Sequence, residues 1–277
     1  MARSRRLPQV GRTVSPRRGA QPPTQPPPPP GPSPGKSQGP THGQGIGIGL
    51  FLLSTGRNPG QGGVAPQPAF PHTPILDTFN RADNASLGAN WSLLNPGGAD
   101  GYISTPLGIN GNAAYNPTTA GANKSSAYWN VQTFNATQEA YFTANTPPSD
   151  WYAVCLRCQN VGGISVKYYF FQTHGSDGAW GINRMDSFSS ETSLQSGTFA
   201  GFAAGDRIGG RVQNNGSGNP VLTLWVFRAA TGLWSSVSSV TDTSGSKITT
   251  GGNIGMFIGN LNGSGAGRMD NFGGGNA

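Results

Sequence analysis

The chain has 277 residues, of which 10% are charged, and carries 44 Gly, 23 Pro and a formal net charge of +7. Seventeen of the prolines precede Asp77, whereas all six Trp, all seven Tyr and both Cys follow it. The first 76 residues therefore cannot bury a core of their own, while the remainder is long enough for one.

Charge divides at the same place. Residues 1–76 hold eight Lys/Arg and no acid, and residues 77–277 hold ten Lys/Arg against eleven Asp/Glu. The basic character belongs to the front segment, so a basic nucleic-acid face on the folded part is not expected.

In chain order, residues 1–20 form an arm bearing Arg3, Arg5, Arg6, Arg12, Arg17 and Arg18. Its proline and arginines stand where a secretory leader would need an apolar stretch, so no leader is expected. Residues 21–40, "QPPTQPPPPPGPSPGKSQGP", read as a polyproline spacer extending about 3.1 Å per residue. In 45–54, Ile46, Ile48, Leu50 and Leu52 alternate with Gly and Phe51, a strand-like period. This run is far shorter than the roughly 20 residues that span a bilayer, so no membrane anchor is expected. Left bare in water it would aggregate, and it is expected to dock on its own domain or on a partner chain. "RNPGQGGVAPQPAFPHTP" then reads as a second connector.

From Ile75 the signal is all-β. Runs rich in aromatic and β-branched residues recur at 138–146, 150–158, 163–174, 178–185, 207–213, 220–229 and 253–261. Gly, Asn, Asp and Ser clusters separate them. No stretch keeps a helical stripe for three turns. The fold class expected is all-β: a two-sheet antiparallel jelly-roll sandwich after a long extended Pro/Gly-rich arm. The domains are 1–74, the arm and linker, and 75–277, the sandwich. In "VLTLWVF", Leu222, Leu224 and Val226 share one face, and Thr223, Trp225 and Phe227 share the other. Trp225 is either displayed as a stacking platform or covered.

Cys155 and Cys158 form a lone C-x-x-C with no second pair or nearby histidine for zinc. Positions three apart on a strand face opposite ways, which makes a disulfide awkward. Two packed or half-exposed thiols are expected.

"DTFNRADNASLGANWS" resembles the opening of concanavalin A-like, laminin-G-like jelly-roll modules. The matching residues are Asp77, Phe79, Arg81, Leu87, Gly88, Asn90 and Trp91. "WYAVCLRCQNVGGISVKYYFFQTHGSDGAWGINRM" is similar to their central strands, "FAAGDRIGGRV" to a turn feeding the next strand, and "RMDNFGGG" to the closing strand beside the first. The resemblance covers residues 75–275. It implies a module of the kind found in minor tail proteins of phages infecting actinobacteria, and also in secreted bacterial glycan-binding proteins.

No catalytic pair is expected. The domain has two glutamates, Glu139 and Glu191, in separate segments, and its one histidine is His174; glycosidases need two carboxylates flanking one bond. The chain is therefore read as non-enzymatic. Aromatics beside hydrogen-bonding groups suit sugars, which gives Trp151, Tyr152, Trp180, Asn183, Asp186 and Trp225 as candidate glycan-binding residues. No metal site and no cofactor are expected; calcium remains an open alternative but is not predicted.

The expected partners are other virion proteins, reached by the arm through Ile46, Ile48, Leu50, Phe51 and Leu52, and host cell-wall glycans. Membrane and nucleic acid are not among them, and an oligomer within an assembly is expected. The location expected is the virion tail, assembled in the host cytoplasm. The alternatives are a capsid decoration or purely structural virion protein, and a secreted carbohydrate-binding protein.

Overall fold

The computed structural model describes residues 69–95, 105–118, 123–146, 151–175, 177–260 and 267–277. The basic arm and its expected docking segment, Ile46 to Leu52, lie outside the described residues.

The described residues are all-β and contain no helix. Four short strands come first: β1 (Ile75–Asp77), β2 (Trp91–Ser92), β3 (Gly108–Ile109) and β4 (Ala114–Tyr115). Next come β5 (Asn123–Trp129), β6 (Gln138–Thr146), β7 (Trp151–Gln159), β8 (Lys167–His174) and β9 (Ala179–Ser187). The chain continues through β10 (Ser190–Thr198), β11 (Arg207–Asn214) and β12 (Pro220–Arg228). It ends with β13 (Leu233–Thr241), β14 (Asn253–Asn260) and β15 (Arg268–Asn276).

These strands make two antiparallel sheets. Sheet A runs β13-β12-β11-β6-β15-β4-β3, with β1 also paired to β15; sheet B runs β10-β9-β8-β7-β14-β5-β2. The sequence-expected jelly-roll sandwich is thus the observed fold, with the closing strand beside the first.

Alternation sets the core. On β12, Leu222, Leu224 and Val226 face sheet B, and on β7, Tyr152, Val154 and Leu156 face sheet A. A fully apolar residue buried between the sheets is stabilised by about 1.5–3 kcal/mol. Sheet B carries a second apolar layer on its outer face, built from Ala153, Cys155, Tyr168, Phe170, Met185 and Phe257.

Alternation breaks once in β7. Arg157 adopts φ +52°, and the register with β8 shifts between Leu156 and Gln159. That bulge corrects the expectation that Cys155 and Cys158 face opposite ways, because both lie in the outer layer of sheet B. Both thiols are free and fully buried. Burial pushes both thiol pKa values well up, so neither is a nucleophile at neutral pH.

Residues 69–74, which read as connector, form a strap on the outer face of sheet A. Phe70 stacks parallel on Trp225 with ring centroids 5.1 Å apart and meets Trp234 edge-on at 4.8 Å. Gly209 makes room for it, since a Cβ there would stand 2.4 Å from the Phe70 ring. Beneath the strap, Glu139 is completely buried. One of its oxygens accepts from the backbone N–H of His72, and from the N–H and hydroxyl of Thr73 at 2.8 and 2.9 Å. The other accepts from Arg211 at 2.6 and 3.1 Å. Arg211 in turn donates to Ala69 O at 2.9 Å.

Candidate functional site

The stretch that resembled a jelly-roll opening closes on itself. Asp77 accepts from the Phe79 N–H at 2.8 Å, from Arg81 at 2.7 and 3.0 Å, and from the Trp91 indole at 2.8 Å. Arg81 also donates to Leu87 O. Phe79 is fully buried at φ +52°, a backbone position held by these bonds. The motif is a structural knot that joins β1 to β2.

The six candidate residues do not form one surface. Tyr152 points into the inter-sheet core at 1% exposure, and its hydroxyl accepts from the Arg268 N–H at 2.8 Å. Trp180 also belongs to that core, packed under Gly197, where an added Cβ would stand 2.5 Å from its ring. Trp225 lies on the outer face of sheet A beneath Phe70. Asp186 accepts from Arg184 at 2.6 and 3.2 Å and from Thr192 at 2.7 Å. Tyr152 and Trp180 share the core side of sheet B, and only Trp151 and Asn183 share an outward face, the outer one of sheet B.

Residues that the sequence reading did not single out for binding complete that face. Register places Lys124, Gly259, Trp151 and His174 in one row across β5, β14, β7 and β8. The Trp151 and His174 rings lie 5.1 Å apart at a 39° tilt. His174 Nδ1 is 2.8 Å from the exposed carboxylate of Asp177. The Ala179 N–H and then His174 hold the Asp177 pKa below its ordinary value. Lys124 places its ammonium 5.4 Å over the Phe257 ring; burial lowers its pKa, and Glu191 on β10 pulls the other way.

Further in, Gln172 and Asn183 crowd over Gly181, where a Cβ would stand 3.2 and 2.8 Å from their amide nitrogens. Asn183 Nδ2 is buried without a hydrogen-bond partner. The corner thus offers one partly exposed indole, an imidazole–carboxylate pair and two amides above an apolar floor. That mixture can stack on a ring and hydrogen-bond hydroxyls.

Asp186 and Asp242 meet, but on one guanidinium. Arg184 donates to Asp242 at 2.7 Å as well as to Asp186, and Tyr169 donates to Asp242 at 2.8 Å. Burial works to raise both carboxyl pKa values, yet these hydrogen bonds outweigh it and hold both below the ordinary value. Neither suits a proton donor near neutral pH. A carboxylate depressed in the fold adds stability above its unfolded pKa, near 4, and loses it as pH falls through the folded value. The melting temperature is therefore expected to fall on acidification below about pH 4. An Arg184→Met variant should melt lower at pH 7 and show a weaker acid dependence, which calorimetry at pH 7 and pH 3 checks.

Among the described residues no group of three or more His, Cys, Asp or Glu is placed to hold a metal ion.

No protein-family model matches the chain, and no curated protein matches it. Among solved structures it is similar to the CBM2 module of an evolved Dit from Lactobacillus casei BL23 phage J-1. That match has 14% identity and a TM-score of 0.46, and covers 71% of this chain and 91% of that one. It is also similar to lectin II from Ulex europaeus, at 10% identity and a TM-score of 0.43, covering 70% and 96%. A Bacillus licheniformis β-glucanase matches at 12% identity and a TM-score of 0.46, covering 73% and 96%. These likenesses concern strand layout alone.

Proposed function

We propose that the chain is a non-enzymatic virion component, a minor tail protein whose sandwich contacts host-surface glycans. Its arm would dock into the tail through Ile46, Ile48, Leu50, Phe51 and Leu52. The observation that carries the glycan reading is the Trp151 corner. A half-buried indole sits there beside the His174–Asp177 pair, on the face that also carries the Gln172 and Asn183 amides.

Stacking on a sugar ring is the chemistry an indole in that setting supports, and Asn183 Nδ2 remains a donor in want of an acceptor. The division of charge supports the arm's role, with a basic, acid-free front segment ahead of a nearly neutral domain.

The test is a cell-wall glycan array probed with the full chain. Trp151→Ala should weaken the strongest signal by about tenfold, the scale of one lost aromatic contact. A blank array would leave a purely structural virion role, and absence of the chain from purified particles would leave a secreted binding protein. Release of reducing ends from the same glycans would instead establish a hydrolase.

A further inference from the structure

The outer face of sheet A carries a second, half-exposed row, which the strap touches at Trp234 through Phe70. Register aligns Asp270, Thr143, Arg207, Phe227 and Trp234 side by side across β15, β6, β11, β12 and β13. Within this row Arg207 differs from the other arginines described. Arg81, Arg184, Arg211 and Arg228 donate to carboxylates, Arg157 to carbonyls and Arg268 to the Asn110 amide oxygen.

Arg207 donates to nothing among the described residues. Its guanidinium carbon lies 4.8 Å from the centre of the Phe227 ring, and its Nε is buried without a partner among the described residues. Two more polar atoms on this face are equally unmatched. These are Thr143 Oγ1, directly opposite on β6, and the indole Nε1 of Trp225, a residue 8% exposed on the neighbouring strand.

Nε–H and indole N–H are donors only, and a hydroxyl can donate. Unmet donors gathered on one patch call for an acceptor-rich ligand, and a planar guanidinium matches a carboxylate with two parallel bonds. The nearest carboxyl in the row is Asp270, two strand spacings or about 10 Å away. Burial and then the charge of Asp77 raise its pKa, and its oxygens can accept from a sugar hydroxyl.

We infer that this row is a second binding site, for a carboxylate-bearing saccharide. The acid group would lie on the Arg207 fork and the sugar ring against Trp234, which the structure leaves partly exposed. The site lies on the opposite sheet from Trp151 and does not depend on the reading of that corner.

Calorimetry on the full chain tests it with two probes. One is a tetrasaccharide alternating glucuronic acid with N-acetylglucosamine, and the other is neutral chitotetraose. The acidic probe should bind, with an affinity that falls on adding salt. Arg207→Gln should cost it at least about tenfold. Arg207→Gln removes no internal hydrogen bond, so near-ultraviolet circular dichroism should match wild type. Equal binding of the two probes, no binding of the acidic one, or an unchanged affinity in Arg207→Gln each overturns the inference.

Discussion

A Glu139→Ala variant is expected to be less stable by about 3–5 kcal/mol, the cost of removing one partner from a buried ion pair. The carboxylate is fully buried and satisfies Arg211 on one side and the His72–Thr73 segment on the other. Its loss leaves a nearly buried guanidinium without its counter-ion and two backbone N–H groups without acceptors. The strap should then lift, uncovering the Trp225 ring. The readouts are the urea midpoint and a red shift of tryptophan emission. Phe70→Ala should release the same segment at about 3–5 kcal/mol, the range for deleting a buried aromatic. Because the two residues hold one strap, the double variant should cost clearly less than the two singles combined. A Glu139→Ala midpoint within error of wild type would mean that the strap contributes nothing to stability.

The second large effect is expected at Arg157. Its side chain is fully buried, has no carboxylate partner among the described residues, and donates to Ala136 O and Asn214 Oδ1, each at 2.9 Å, and to Ile248 O. Burial pushes its pKa down to about 10, so it remains charged at neutral pH. Two terms compete in Arg157→Met. Removing a buried charge is favourable, and exchanging buried ions for apolar groups is often neutral. Against this, three carbonyl acceptors lose their donors, at about 1–3 kcal/mol each. The acceptors outnumber the charge, so a net loss of about 2–5 kcal/mol is expected in equilibrium unfolding. A variant as stable as wild type would mean that the desolvation of Arg157 cancels all it satisfies.

The strands were legible from alternation, and so was the split of "VLTLWVF" into a core face and an outer face. Parity could also have removed Tyr152 from the glycan candidates, since it shares a face with Val154 and Leu156. What local pattern could not show were the contacts made by distant residues. Phe70 sits among prolines in a stretch that looks like linker, and its slot exists because Gly209 is 139 positions away in sequence and beside it in space. The Arg157 bulge likewise turns Cys158 to the same side as Cys155, where strict period two would separate them. The Trp151 corner was half visible. Trp151 and Asn183 were named, but His174, Gln172 and Lys124 join them only through the register of three further strands.

The first and last strands of the sandwich meet. Gly274 donates its N–H to Pro74 O at 3.2 Å, and β1 pairs with β15. The backbone entering β1 and that near the end of β15 therefore lie side by side. A sandwich wired in this way can be spliced into a loop of an unrelated host protein with little strain on either partner, because the host's two cut ends need not be forced apart. Such a graft would carry the Trp151 and Arg207 faces with it as a portable cassette.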